Sequence, residues 1–274
     1  MRTARCPYCD SPSVVDRPAT PDRPDPVFAI GFDVDEPTAR SIIRRHIAGR
    51  RLAPTALKRR ALDNIRGVYL PTYLYSAVAT SNFDATIGED YTVVTVRDKK
   101  IKRETRTELR RLQGRHTCYV SDVVVSASKT ITNAEVEAVE PFDLRALRRY
   151  SPALISGWLS EEPALERDRC LELARTESRS ALKDELRRFM PGDSVRDLRH
   201  TTEHSDESAD LALLPLWVAA IRERDDADPI RLLVNGQTGR AYGKIPVSWR
   251  KIAFLIAAVG AVIGLLTLIL GWIG

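Results

Sequence analysis

Two cysteines spaced two residues apart, Cys6-Pro7-Tyr8-Cys9, are the residues of this chain best suited to chemistry. Such a pair does one of two jobs. As a redox dithiol, its first cysteine must sit at a helix N-terminus after a core strand, where the dipole lowers the thiol pKa. Only five residues precede Cys6, and Ser11-Pro12-Ser13 follows the pair, so redox catalysis is not expected. As a zinc knuckle, the pair supplies half of the four ligands that a structural zinc needs. The other cysteines, Cys118 and Cys170, are far apart and fall in an expected strand and an expected helix. Zinc at Cys6 and Cys9 is therefore the one cofactor suggested, at an incomplete site. His200 and His204, four apart on one strand face, offer nitrogen ligands. Beside Glu203 and Asp206 they read rather as ordinary polar residues.

Other catalytic signatures are missing. The sequence has no glycine-rich phosphate loop, no GxSxG and no HExxH, and no enzyme is expected. Glu161, Glu162 and Glu166 fall where a long helix is expected to open, and negative charge there suits the helix dipole.

Charge carries more information. The 274 residues hold 42 Lys and Arg against 37 Asp and Glu, a net +5. Residues 36–66 contain Arg40, Arg44, Arg45, Arg50, Arg51, Lys58, Arg59, Arg60 and Arg66 against two acids, a net +7. Residues 97–115 contain Arg97, Lys99, Lys100, Lys102, Arg103, Arg106, Arg110, Arg111 and Arg115 against three acids, a net +6. The remainder carries −8. Two basic segments on an acidic body suit lipid headgroups, nucleic-acid phosphates or an acidic protein. Few aromatics lie among these bases, which disfavours stacking on single strands. Hydrophobic residues at 43% exclude wholesale disorder, and four cysteines exclude a disulfide scaffold.

The elements that position these residues follow from period and punctuation. Six prolines between Pro7 and Pro26 make residues 1–30 loop-like. Asp35-Glu36-Pro37 starts a helix buried through Ala39, Ile42, Ile43 and Ile47 and ending at Gly49, and a second helix is expected over 54–66. Strands are expected over 68–75, 91–96, 102–112 and 116–126, with breaks at Gly88-Glu89-Asp90, Asp98-Lys99-Lys100 and Gln113-Gly114. Short helical turns are expected over 141–156. A long amphipathic helix follows over about 160–190, with Leu171, Ala174, Ser178, Leu182, Leu186 and Phe189 in one stripe. Strands resume over 195–204, 211–223, 230–234 and 241–244, with turns at 225–228 and at Asn235-Gly236. Leu70-Pro71-Thr72-Tyr73-Leu74 echoes Leu214-Pro215-Leu216-Trp217-Val218, which suggests two pseudo-repeated halves. Proline in a strand belongs at an edge or bulge.

Residues 252–273 carry no charge, follow Arg250 and Lys251, and lie between Trp249 and Trp272. At ~1.5 Å per residue they match a ~30 Å hydrocarbon core. They read as a single transmembrane helix in contact with lipid, and Gly260 and Gly264 form a GxxxG pair for self-association. Met1-Arg2-Thr3-Ala4-Arg5 leads into no apolar run, so no signal peptide is expected, and the N-terminal mass is placed in the cytoplasm. The expected class is α+β: antiparallel sheet with packed helices, plus one C-terminal transmembrane helix. The expected division is a proline-rich segment with the CxxC at 1–30, a cytosolic domain at 31–248 and an anchor at 249–274.

Cys6-Pro7-Tyr8-Cys9, Gly67-Val68-Tyr69-Leu70-Pro71, Leu214-Pro215-Leu216-Trp217 and Leu232 to Gly239, followed by Gly243-Lys244 and Pro246, occur together. In these segments the chain resembles a family of bacterial membrane-anchored zinc-ribbon proteins, whose members are often described, by weak similarity, as related to the primosomal replication-restart helicase. The resemblance implies a bacterial membrane location and makes Cys6 and Cys9 the second of two knuckles. Asp10 stands where that knuckle usually has glycine. No Walker loop is present, so no helicase motor is implied. The expected function is a membrane-anchored, non-catalytic scaffold or interaction module. The alternative is a membrane-tethered nucleic-acid-binding accessory.

Overall fold

The computed structural model describes residues 24–60, 62, 64–97, 100–223 and 228–273. The alternation that begins near Ile65 does not break where glycines and charges suggest. It runs on into β2 (Ile65–Arg97), 33 residues long, and turns back into β3 (Lys100–Ser126). The expected strands over 195–204 and 211–223 likewise fuse into β6 (Ser194–Ile221). Gly88 and Gly114 are not turn residues. A Cβ on Gly88 would overlap Ser194 Oγ, and the Phe83 ring lies across Gly114. Both glycines mark close approach inside a continuous strand.

Around these long strands stand β1 (Phe28–Ala29), β4 (Arg148–Arg149), β5 (Leu159–Ser160), β7 (Ile230–Asn235) and β8 (Ala241–Tyr242). The eight-stranded sheet has the path β3-β2-β6-β1-β4, with β5 beside β2 and β7 and β8 beside β6. It is mixed, which corrects the antiparallel expectation. β1 runs parallel to β6, and β5 runs parallel to β2, because each short strand enters the sheet from a loop crossing rather than a hairpin.

The two strand prolines sit where one neighbour hands over to the next. Pro71 lies between the β5 register (Val68, Tyr69) and the β3 register (from Thr72). Pro215 lies between the β1 register (to Leu213) and the β7 register (from Leu216). Their carbonyls still accept from Ala127 N and Gly236 N. The echoing segments pair with each other directly, Leu70 against Leu214.

Helix α1 (Glu36–Gly49) forms as expected. Asp35 Oδ1 accepts from Thr38 N at 3.0 Å, and Ala39, Ile43 and Ile47 are buried against β6 and β7. Helix α2 (Thr55–Arg59) is far shorter than expected, since β2 claims the chain from Ile65. Helix α3 (Asn133–Val139) was not anticipated, although Thr132 and Glu135 form a capping box. Short 3-10 turns at Leu144–Ala146 and Pro152–Ile155 match the sequence. Helix α4 (Arg167–Phe189) starts later than expected, so Glu161 and Glu162 lie outside it and Glu166 is its N-cap. Phe32, Tyr69, Trp158 and Trp217 form an aromatic knot over Gly67 and Gly236, with Trp217 Nε1 donating to Val34 O at 2.8 Å.

Helix α5 (Trp249–Ile273) leaves the body through Ser248 N to Leu52 O (2.8 Å) and Lys251 Nζ to Ala53 O (2.6 Å). The transmembrane reading is corrected. Among the described residues no helix is long and apolar enough to cross a membrane. The single-pass class and the membrane localisation fall with it. The turn residues Asp98 and Lys99, and most of the turn at 225–228, lie outside the described residues.

Candidate functional site

Beyond the body, β3, β2 and β6 continue together as a three-stranded arm. Three β-bulges shape it. At the arm's root both neighbours of β2 gain an extra residue, one between Tyr75 and Ala77 on the β3 side, one between Ser76 and Val78 on the β6 side. A third lies opposite Asp84–Thr86 on β6. Each bulge holds an aspartate in the left-handed region: Asp122 (φ 61°), Asp206 (φ 51°) and Asp197 (φ 52°). Asp is one of the few side chains that visits this region. Bulges add local twist and bend the strand that carries them.

One face of the arm is covered. On β2, Ala77, Ala79, Ser81, Phe83, Ala85 and Ile87 turn inward under α4. Cys170 and Ala174 pack on Tyr73 and Tyr75, Leu182 on Ala79 and Val120, and Leu186 and Met190 on Phe83 and Ile87. A clamp joins helix and sheet at the root. Arg175 Nε and Nη2 donate to the two Glu207 oxygens at 2.7 and 2.5 Å, and the buried Tyr75 hydroxyl donates to Glu207 at 2.5 Å. The guanidinium draws the Glu207 carboxyl down to about 2. Burial, then the carboxylate beside it, raises the Tyr75 phenol. Beside the clamp, Nε2 of His204 is buried without a hydrogen-bond partner, and desolvation holds that imidazole below its usual pKa.

The other face is bare and polar. Val78, Thr80, Asn82, Asp84 and Thr86 on β2 stand between Tyr119, Thr117, Arg115, Gln113 and Arg111 on β3 and Ser205, Glu203, Thr201, Arg199 and Arg196 on β6. Arg111 pairs with Asp84, which also accepts from Gln113 at 2.6 Å.

β6 and α4 both end near Gly88. The Asp193 carboxylate closes the junction by accepting from Asp90 N at 2.8 Å. From there residues 89–97 and 100–109 project as a two-stranded ribbon of about 30 Å. Tyr91, Val94 and Leu109 are about half exposed on it, at 49%, 56% and 52%.

The open face of the arm is an extended polar surface with a recess of about 430 Å³, lined by residues that include Asn82, Asp84, Gln113, Arg199 and Thr201. No family model matches the chain. It is 21% identical over 231 residues to an uncharacterized protein of Bacillus subtilis (strain 168), YdjG, across 83% of this chain. The match spans 66% of that relative's length. No solved structure matches.

The two basic segments do not form one surface. Arg40, Arg44, Arg45, Arg50, Arg51, Lys58, Arg59 and Arg60 belong to the body around α1 and α2. Arg40 is paired with Glu36 at 2.7 Å, and Lys58 Nζ donates to Ala48 O. Lys100, Lys102 and Arg103 lie at the far end of the arm. The length of β2, about 100 Å at ~3.3 Å per residue, separates the two. Lys99 lies outside the described residues.

Cys6 and Cys9 also lie outside them. Among the described residues no group of His, Cys, Asp and Glu is arranged to hold a metal, which corrects the zinc-ribbon reading for that part of the chain. Cys118 and Cys170 do not fit a zinc. Burial pushes the Cys170 thiol up to about 11, and its Sγ donates to Ser126 O. Burial also raises Cys118. Both favour the thiol, whereas a ligand must be thiolate. His200 Nδ1 is 3.1 Å from Thr202 Oγ1, the polar role expected of it.

The sequence reading missed an acidic cluster between α3 and α4. Asn133 Nδ2 donates to Glu137 (3.1 Å) and Glu177 (2.7 Å). Burial and the neighbouring Glu177 and Glu137 push Glu140 up to about 7. Only the Asn133-to-Glu137 spacing hinted at it, because Glu177 arrives from 40 residues downstream.

Proposed function

We propose that this protein is a non-catalytic interaction module that grips an acidic protein partner with its arm. The observation that supports this reading is one continuous strand, β2, which carries a basic tip far from the body. A helix stiffens one face, and the opposite face is left open with Arg103, Arg115, Arg196 and Arg199 on it. A rigid lever with a charged end serves recognition. Opposite charge steers encounter and fixes register more than it adds affinity.

The test uses the full chain and poly-L-glutamate as an acidic probe, with a short DNA duplex as comparison. Binding to poly-L-glutamate should weaken as salt shortens the ~10 Å Debye length of 0.1 M buffer. The double substitution Arg103→Glu with Arg115→Glu should weaken it about tenfold, the loss of roughly 0.7 kcal/mol at each exposed charge. Binding to the duplex alone would overturn the proposal in favour of nucleic acid, and binding to neither would remove any electrostatic partner.

A further inference from the structure

The ribbon beyond Gly88 is a two-stranded structure with half-exposed apolar side chains, and such a ribbon is marginal by itself in water. Natural proteins shield a sheet edge of this kind with bulges, prolines or a covering element. Charged side chains blunt such an edge too, and over 100–120 they are the one protection β3 has. Its register with β2 is unbroken there, it contains no proline, and among the described residues its outer edge pairs with no strand. Its only bulge, at Asp122, lies at the root.

The sequence along that edge is Glu104-Thr105-Arg106-Thr107-Glu108-Leu109-Arg110. Read outward from Thr107, it is antisymmetric in charge. Arg106 mirrors Glu108, and Glu104 mirrors Arg110. All four share one face, because strand side chains alternate. Within the chain their contacts are exposed ones: Arg106 with Glu104 at 3.5 Å, and Arg110 with Glu108 at 3.2 Å and with Glu89 of β2 at 3.6 Å.

We propose that a second copy of this chain pairs along the free edge of β3, antiparallel, about a two-fold axis through Thr107. The proposal rests on the reading of the arm as a contact surface and names a partner for its edge. An isologous two-fold places each residue opposite its mirror. Arg106 then faces the partner copy's Glu108, and Glu104 faces its Arg110, four opposite-charge cross-strand pairs counting both copies. On the other face Thr107 meets Thr107, and Thr105 meets Leu109. Opposite charges directly across strands stabilise a sheet, and like charges destabilise it. This fixes the register. Moving the axis one residue sets Arg106 against Arg106 or Glu108 against Glu108. Arg103 opposite Arg111 is repulsive, two such pairs counting both copies, and Asp84 already holds Arg111. Pairing joins the two-stranded ribbons of both copies into one four-stranded sheet and doubles the row of arginines left for an acidic partner.

Sedimentation of the full chain tests this through a charge swap. The wild type should sediment as a dimer. A chain with Glu104→Arg and Glu108→Arg, and another with Arg106→Glu and Arg110→Glu, should each be monomeric with an unchanged circular-dichroism spectrum. Mixed in equal amounts, they should form a one-to-one heterodimer. An independent readout is Thr107→Cys in a chain with Cys6→Ser and Cys9→Ser. The facing Cα atoms, about 4.5–5.5 Å apart in an antiparallel pair, should form an intermolecular disulfide under mild oxidation. A monomeric wild type, a dimer indifferent to both charge variants, or a mixture that stays monomeric would overturn the proposal. A dimer indifferent to charge would place association elsewhere, as at Gly260 and Gly264. A monomer that still binds poly-L-glutamate would overturn the pairing and leave the arm's acidic partner standing.

Discussion

Replacing Glu207 with glutamine tests whether the clamp at the root fixes the arm to its helix. In the folded chain Arg175 holds Glu207 in two charge-assisted hydrogen bonds and lowers its pKa from 4.5 to about 2. At 1.36 kcal/mol per pKa unit, that shift sets a ceiling of roughly 3 kcal/mol. Arg175 is 40% exposed, so water screens the pair, and about 1–2 kcal/mol is the expected contribution. In a chain of this size that corresponds to roughly 2–8 °C in Tm. A depressed carboxylate pKa gives stability that is present in full above the unfolded pKa and lost as pH falls through the folded one. Urea unfolding of wild type and Glu207→Gln should therefore differ by the full amount at pH 7. The gap should narrow below about pH 4.5 and close toward pH 2. Arg175→Ala should reproduce the loss, and the double variant should lose little more than either alone. A gap that stays constant from pH 7 to pH 3, or a Glu207→Gln chain as stable as wild type, would refute the reasoning.

Glu140 behaves in the opposite sense. Its pKa is raised to about 7, so the folded chain keeps a proton that the unfolded chain releases, and stability from this group falls as pH rises from about 4.5 to 7. Glu140→Gln should gain about 1 kcal/mol at pH 8 and nothing at about pH 3.5 in the same unfolding assay. The left-handed backbone at Asp206 (φ 51°) makes Asp206→Gly neutral or slightly stabilising, whereas Asp206→Val should cost about 1–2 kcal/mol in chemical denaturation.

The helices were legible where caps and periodicity agree. Asp35 and the Ala39-Ile43-Ile47 stripe defined α1, and the Leu182–Leu186 stripe located α4. The long strands were not. Gly88 and Gly114 look like breaks, and only the three-dimensional register shows what fills their missing side chains: Ser194 from β6 and the Phe83 ring from β2. A local reading also places proline at an edge or bulge, while Pro71 and Pro215 sit inside the sheet at handovers between partners. The basic tip was visible as charge. Its isolation from the basic body was not, because that depends on 33 residues forming one strand. The apolar C-terminal run promised a bilayer crossing that no helix among the described residues meets.

The sheet pairing also sets a timetable. β2 finds β3 by a local turn, but its other edge waits for β6, which begins roughly 70 residues after β3 ends. At ~5–20 residues per second of synthesis, that is an interval of about 3–14 seconds. Throughout it, the hairpin has a bare inner edge, and α4 is made only late in the interval to cover its Ala77–Ile87 face. A nascent chain stalled between Ser126 and Ser194 exposes the inner edge of β2, a 33-residue strand, until β6 arrives to pair with it.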